Sequence, residues 1–109
     1  MSNCIFCKIR DGEIEKEFTY KDEEIMVFPD INPTRSVHLL IVSKEHIADF
    51  LDLKNDEVWI KIKKVAQKLI KEQGLENKGY RLTLNGGGAQ IIEHLHAHLS
   101  GPIGKEVKV

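Results

Sequence analysis

The chain has 109 residues, a formal net charge of −1 and only two cysteines. This length suits a single domain over residues 1–109 whose core needs no disulfide. The balanced charge provides no basic field for nucleic acid, and no apolar run approaches the roughly 20 residues of a membrane span. Because no secretory leader is visible, we expect a cytoplasmic protein that binds neither nucleic acid nor membrane.

The first half of the chain predicts a short helix and three strands. Residues 4–9 carry apolar side chains at helical spacing and end at Asp11-Gly12. Strands are predicted at 18–20 and 25–28, joined as an antiparallel hairpin, and at 38–42. The third strand is continuously apolar, so we expect it in the centre of a sheet.

The second half predicts one long helix and two further strands. Residues 55–73 carry an apolar stripe at helical spacing, with Asn55 as the N-cap and Gly74 as the stop. Strands are predicted at 79–85 and 94–99, before a loose C-terminal tail. The elements predict an α+β fold with a five-stranded antiparallel sheet, one long helix and a short N-terminal helix.

Histidine alternates with apolar residues from position 94 to 99, which predicts a strand with two different faces. On a strand, His94, His96 and His98 line about 13 Å of one face, at roughly 3.3 Å per residue. On a helix they would spread over about 200° and share no face. The pattern favours one site lined by imidazoles over the alternative of a solvent-exposed, histidine-rich strand.

A glycine-rich turn at 85–90 precedes this row, and its backbone can approach a ligand closely. Exposed N–H groups beside protonatable imidazoles suit a phosphate. A neutral imidazole can attack phosphorus, while a cationic neighbour binds phosphate oxygens or protonates the leaving group. His96, which has a histidine on each side, is therefore the candidate nucleophile.

Cys4 and Cys7 are separated by two residues, a spacing common among zinc ligands. In a reducing compartment such a pair indicates metal binding or redox chemistry rather than a structural disulfide. Two thiolates supply only half of a tetrahedral site. A pair of reduced, packed thiols without metal is therefore the alternative.

Several segments together resemble the histidine triad (HIT) superfamily, in particular its Hint-like branch, and the resemblance covers nearly the whole chain. They are Cys4-Ile5-Phe6-Cys7-Lys8-Ile9, Phe28-Pro29-Asp30-Ile31-Asn32-Pro33, His38-Leu39-Leu40-Ile41-Val42-Ser43-Lys44-Glu45-His46-Ile47, Gly79-Tyr80-Arg81 with Asn85, and His94-Leu95-His96-Ala97-His98-Leu99.

The resemblance implies nucleotide chemistry. Hint-like proteins hydrolyse nucleoside 5′-phosphoramidates and related adenylated or guanylated compounds through a nucleotidylated histidine. It therefore implies a hydrolase or transferase that acts on the α-phosphate of a purine nucleotide, with an AMP or GMP moiety and no organic cofactor.

The resemblance also implies roles for individual residues. His96 would be the nucleophile, His98 would contact the phosphate, and His38 would orient the nucleophile by a hydrogen bond. Asp30 would accept the ribose hydroxyls and Asn85 would hold the phosphate side. The implied catalytic residues are His38, His94, His96 and His98, and the implied nucleotide-binding residues are Phe6, Ile9, Phe28, Asp30, Ile31, Leu40, Asn85, Gly88, Gln90, His96 and His98.

A structural zinc site and a homodimer follow from the same resemblance. His46 and His94 would complete a four-ligand site with Cys4 and Cys7, which would make His94 a ligand rather than a base. The homodimer would extend the sheet by pairing residues 79–83 across a two-fold axis. Trp59 would pack between the helices, and the partner's C-terminal tail would lie near each site.

Four departures from the family pattern keep other functions open. Ile91 stands where the family often has a serine that assists the leaving group, Glu93 stands where an aromatic residue is usual, and Ser100 replaces a glycine. The glycine-rich turn is also shorter. The alternatives are a dinucleoside polyphosphate hydrolase and a nucleotide-binding scaffold dimer with weak activity.

Overall fold

Five antiparallel strands form one sheet in the computed structural model, which describes residues 3–105. The strands are β1 (Tyr20–Lys21), β2 (Ile25–Pro29), β3 (Val37–Ser43), β4 (Arg81–Leu84) and β5 (His96–Gly101), and the helices are α1 (Ile5–Arg10) and α2 (Asp56–Glu72). Across the sheet the order is β1-β2-β3-β5-β4, so β3 is central, as its apolar run predicts. The predicted α+β fold is confirmed.

The central strand divides its side chains between two cores. Ile41 belongs to the core beneath α2, whereas its neighbours Leu40 and Val42 belong to a second core to which α1 contributes. Leu40 lies opposite His98 and Val42 lies opposite His96. Because residues that face each other across a strand pair project to the same side, both imidazoles lie on the α1 side of the sheet.

Helix α2 begins and ends where its sequence predicts. The Asn55 side chain accepts a hydrogen bond from the Glu57 amide at 2.9 Å, which caps the first turn. Gly74 has φ +69°, and this left-handed conformation lets the Leu75 amide donate to the Ile70 carbonyl at 2.9 Å. This is the Schellman pattern, and the buried Leu75 seals the end of the helix.

Strand β5 begins at His96, so the predicted start at His94 is wrong by two residues. β3 ends one residue beyond its Val42–His96 pair, and no β3 residue therefore lies opposite His94. The Leu95 amide bonds the Ile47 carbonyl instead, at 2.6 Å. The chain around His94 consequently belongs to the connection that leads into the sheet.

Strand β4 is shorter than the predicted 79–85 because Gly79 approaches the C-terminal turn closely. Gly79 has φ +80°, and a Cβ there would lie 2.2 Å from the Gly104 carbonyl oxygen. Its own carbonyl accepts the Ile103 amide at 2.9 Å. The backbone at Gly79 therefore belongs to this contact rather than to the sheet.

The first strand and one connection also differ from the prediction. β1 covers residues 20–21 rather than 18–20, although the Thr19 amide still donates to the Val27 carbonyl at 2.8 Å. A single turn of 3₁₀ helix, Phe50–Asp52, lies in a stretch without a predicted element and is capped by the side chain of Asp49.

Residues 1–2 and 106–109 lie outside the described part of the chain. The predicted loose tail falls partly on these residues, and so does the expected proximity of a partner's tail to the site. Within residues 3–105, no helix is long and apolar enough to cross a membrane.

Candidate active site and metal centre

The ring of His96, at the start of β5, is oriented by a hydrogen bond to one of its two nitrogens. Its Nδ1 lies 2.6 Å from the backbone carbonyl oxygen of His94. Because a carbonyl only accepts, Nδ1 carries the ring proton, and Nε2 of the neutral imidazole keeps its lone pair. Phe6 packs edge-on against the ring, with centroids 5.0 Å apart. The side chain is thus buried, oriented and in the tautomer that a nucleophile at Nε2 requires.

His98 is oriented by His38 from the neighbouring strand. The Thr34 amide donates to His38 Nδ1 at 3.1 Å, which places the His38 proton on Nε2. His38 Nε2 lies 3.0 Å from His98 Nδ1, which accepts that proton's hydrogen bond. Neutral His98 therefore carries its own proton on Nε2, where it can donate to a ligand.

The expectation that His38 bonds the nucleophile is wrong, because its partner is His98. The strand register explains the difference. His38 lies opposite Ser100, one side-chain step along the same face from His98 and two steps from His96. The orienting group of His96 is instead the backbone carbonyl of His94, which side-chain patterns do not reveal.

Asp30 borders this pair of histidines. Its Oδ2 lies 3.4 Å from His38 Nε2 and 3.9 Å from His98 Nδ1, while Oδ1 accepts the Asn32 amide at 2.8 Å. Burial, reinforced by the imidazoles of His96 and His38, lowers the pKa of His98 below its ordinary value of 6.5, and Asp30 opposes the shift. His98 is therefore predominantly neutral at pH 7.

A cavity of about 360 Å³ collects most of the predicted nucleotide-binding residues. Ten of the eleven line it, and Gly88 is the exception; the catalytic candidates His38 and His94 also lie outside the lining. Some lining residues that the prediction missed adjoin predicted ones in sequence, whereas Lys16 lies in a loop with no local signal. The missed residues are Ile5, Lys16, Pro29, Asn32, Ala89, Ile91 and Ile92.

The glycine-rich turn beside the cavity is held by Asp49. The Gly87 amide donates to Asp49 Oδ1 at 2.6 Å and the Gly88 amide donates to the Gln90 side chain at 3.1 Å. Gln90 in turn donates to the Ala48 carbonyl at 3.1 Å. The bond from Gly87, foremost, lowers the pKa of Asp49. Because both amides are bonded within the chain, they do not match the expectation of exposed N–H groups for a phosphate.

The four predicted metal ligands converge, with ligand atoms all within 4.8 Å of one another. Cys4 Sγ lies 3.2 Å from His94 Nδ1, Cys7 Sγ lies 3.3 Å from His46 Nδ1, and the two Nδ1 atoms are 3.1 Å apart. Around a tetrahedral zinc ion such atoms lie roughly 3.4–3.8 Å apart. The donors thus fit a tetrahedral metal after a small outward adjustment.

The second nitrogen of His94 explains why its ring points at this cluster. His94 is fully buried, and its Nε2 lies 2.5 Å from the carbonyl oxygen of Ser43, which accepts the ring proton. Nδ1 therefore presents a lone pair to the cluster, an arrangement typical of metal-binding histidines. Burial lowers the pKa of His94 to about 4, so the ring stays neutral. The placement of His94 supports a role as ligand rather than as base.

Known proteins share both the sequence and this architecture. The family model described as scavenger mRNA decapping enzyme C-term binding matches residues 3–107. An uncharacterized HIT-like protein of Methanocaldococcus jannaschii is 38% identical over 100 residues, 88% of this chain and 76% of that protein. A 14 kDa zinc-binding protein of Zea mays is 40% identical over 108 residues, 92% of this chain and 82% of that protein. The structure of a HIT family hydrolase from Clostridium thermocellum has a TM-score of 0.91 and 40% identity, and the match covers 100% of this chain and 98% of that one.

The lowered pKa of His98 predicts the outcome of a histidine titration by NMR. The Cε1 proton of His98, assigned from its loss in His98→Asn, should titrate with a midpoint below 6.5. Asp30→Asn removes the opposing carboxylate and should lower that midpoint further. The folded state binds a proton at His98 more weakly than the unfolded chain does. The stability contributed by neutral His98 is therefore lost as the pH falls from 6.5 towards the folded-state pKa. A midpoint above 6.5 would contradict the geometry described.

Proposed function

This chain belongs to the histidine triad (HIT) superfamily, and we propose that it hydrolyses nucleoside 5′-phosphoramidates or adenylated compounds through a nucleotidyl-histidine on His96. One observation carries the proposal: the bond from His96 Nδ1 to the His94 carbonyl leaves Nε2 with its lone pair, on a residue that lines a nucleotide-sized cavity. The name HIT family hydrolase, borne by similar solved structures, supports a hydrolase.

The proposed reaction has two displacements at phosphorus. Nε2 of His96 attacks the α-phosphorus, the bond from phosphorus to the leaving nitrogen or oxygen breaks, and the leaving group takes a proton from water while the Nε2–H of His98 donates a hydrogen bond to a phosphate oxygen. Water then attacks the phosphoimidazole, and the phosphorus–Nε2 bond breaks to release a nucleoside monophosphate. The proton released by that water neutralises the hydroxide left by the first displacement, and His96 returns to its neutral form.

The cavity lining supports a nucleotide as the substrate. Phe6, Phe28 and Leu40 give it an apolar part that suits a purine ring, and Phe6 and Phe28 pack edge-to-face with centroids 5.7 Å apart. Asp30 and Asn85 add polar groups to the same lining. In the proposed complex the Asp30 carboxylate accepts the ribose hydroxyls and Asn85 donates to the phosphate.

Replacing His96 tests the mechanism. His96→Ala should lower the turnover of an adenosine phosphoramidate by at least about a thousandfold while AMP still binds, since only the attacking atom is lost. His98→Asn, the matched variant on the same strand face, should lower turnover less, by about a hundredfold. Quenched wild-type reactions should show a nucleotidyl adduct on the peptide that contains His96. Near-wild-type turnover in His96→Ala would contradict the mechanism.

We further propose that Cys4, Cys7, His46 and His94 bind a structural zinc ion. The convergence of their donor atoms and the anchored tautomer of His94 support this, and a relative from Zea mays is named as a zinc-binding protein. Bound zinc would join the N-terminal segment to the sheet, which would account for the two cysteines in that segment.

Metal analysis of protein purified without chelator should find about one equivalent of zinc per chain. Cys7→Ser should lose most of it because a thiolate ligand is removed. Asp11→Ser, an exposed change just beyond α1, is the matched control and should keep the metal. Less than about a tenth of an equivalent, in a sample with reduced thiols, would favour the empty thiol pair.

We propose a homodimer that continues the sheet through β4. This strand forms one edge of the sheet, and edge strands present unpaired backbone groups. Leu82 on β4 is 45% exposed, and two further apolar side chains are exposed, Tyr80 just before β4 at 47% and Trp59 on α2 at 43%. An apolar surface beside an open strand edge suits an isologous two-fold interface.

Light scattering at micromolar concentration should give twice the 12.5 kDa chain mass. Leu82→Arg should yield a monomer, because two charges would meet across the two-fold axis. Glu23→Arg, an exposed change in the turn that follows the opposite edge strand, should remain dimeric. A wild-type particle of 12.5 kDa would rule out the obligate dimer.

A further inference from the structure

Lys16 places a positive charge in the apolar part of the cavity. Its side chain is half-buried and lines the cavity, and its Nζ lies 5.5 Å from the centroid of the Phe28 ring. Among residues 3–105, no carboxylate forms an ion pair with it. The ammonium is thus held over an aromatic face, and no residue within 3–105 forms a hydrogen bond with it.

Ring contacts order the lining from Lys16 to the nucleophile. Lys16 lies over Phe28, Phe28 packs against Phe6 at 5.7 Å, and Phe6 packs against His96 at 5.0 Å. Two aromatic rings therefore separate the ammonium from the atom that would attack phosphorus. A nucleotide with its α-phosphate at His96 and its base beside Phe6 and Phe28 would bring the edge of that base towards Lys16.

We propose that Lys16 reads the base and makes the cavity selective for purines with a 6-oxo group, of which guanine is the common one. This inference rests on the proposed nucleotide function. A lysine ammonium only donates, and the O6 and N7 atoms of guanine are adjacent acceptors on one edge. Adenine presents N7 beside an amino group at position 6, so one donor would face another. The neighbouring side chains Ile9 and Phe28 offer no polar atom to adenine in compensation.

Base recognition would also explain why position 16 is a lysine, which packing against Phe28 does not require. A side chain that only covered Phe28 could be wholly apolar, and an ammonium retained solely for solubility needs no place in a cavity wall. The long, flexible stem lets Nζ move from the ring face to a base edge while its methylenes stay in contact with Phe28.

Calorimetric titration of the full chain with GMP, IMP and AMP tests the proposal. IMP and AMP differ in the group at position 6 and in the proton on N1, and Lys16 would read the former. GMP and IMP should bind at least about fivefold more tightly than AMP in the wild type. Lys16→Met, which keeps the stem and removes the donor, should bring the three affinities within about twofold. Lys16→Arg should retain the preference.

Lys21→Met is the matched control, because Lys21 also lies over an aromatic ring, at 4.7 Å from Phe18, but is exposed and outside the cavity lining. It should leave the preference unchanged. Equal affinities in the wild type, or a preference that persists in Lys16→Met, would overturn base reading by Lys16. Hydrolysis of an adenosine and a guanosine phosphoramidate at equal rates would overturn it while sustaining the proposed function, whereas the absence of binding by all three nucleotides would overturn both.

Discussion

The register of β3 against β5 is the constraint on which the rest of the structure depends. With Leu40 opposite His98 and Val42 opposite His96, every imidazole of β5 projects away from α2 and towards the cavity. A shift of one residue would send both histidines into the core beneath α2 and bring Ala97 and Leu99 to the cavity. The apolar side chains of these two strands therefore help to fix which side of the sheet carries the histidines. The energetic basis is simple, since an unsatisfied imidazole is costly beneath a helix and an exposed leucine forgoes its burial.

Local signals predicted the parts of the fold that local physics determines. Three such signals are the apolar run of β3, the apolar stripe and caps of α2, and the alternation in β5. Each depends only on where one segment buries its apolar side chains. The same alternation predicts that His96 and His98 share one face of β5, and both line the cavity. Eight of the other nine candidate nucleotide-binding residues, which the family resemblance supplied, line it as well. The two histidines could be placed because the face of a strand is a property of the sequence period.

The remaining details depend on distances between segments that are far apart in sequence. The apolar run predicts that His38 begins a strand but does not give its hydrogen-bond partner, which the pairing of β3 with β5 selects. The bond between Asp49 and the Gly87 amide joins two loops 38 residues apart. Lys16 reaches the cavity from a loop without periodic structure. No pattern within any one segment contains these contacts, so sequence reasoning could not supply them.

His94 connects the Cys/His cluster to the cavity that contains His96. Its ring nitrogen faces the cysteines, while its backbone carbonyl fixes the tautomer of His96, so a single residue contacts both the cluster and a histidine that lines the cavity. Helix α1 repeats this arrangement, since Cys7 faces the cluster and Phe6 lines the cavity. If metal binding at the cluster changed the affinity of the cavity for a ligand by some factor, ligand binding would change the affinity of the cluster for the metal by the same factor.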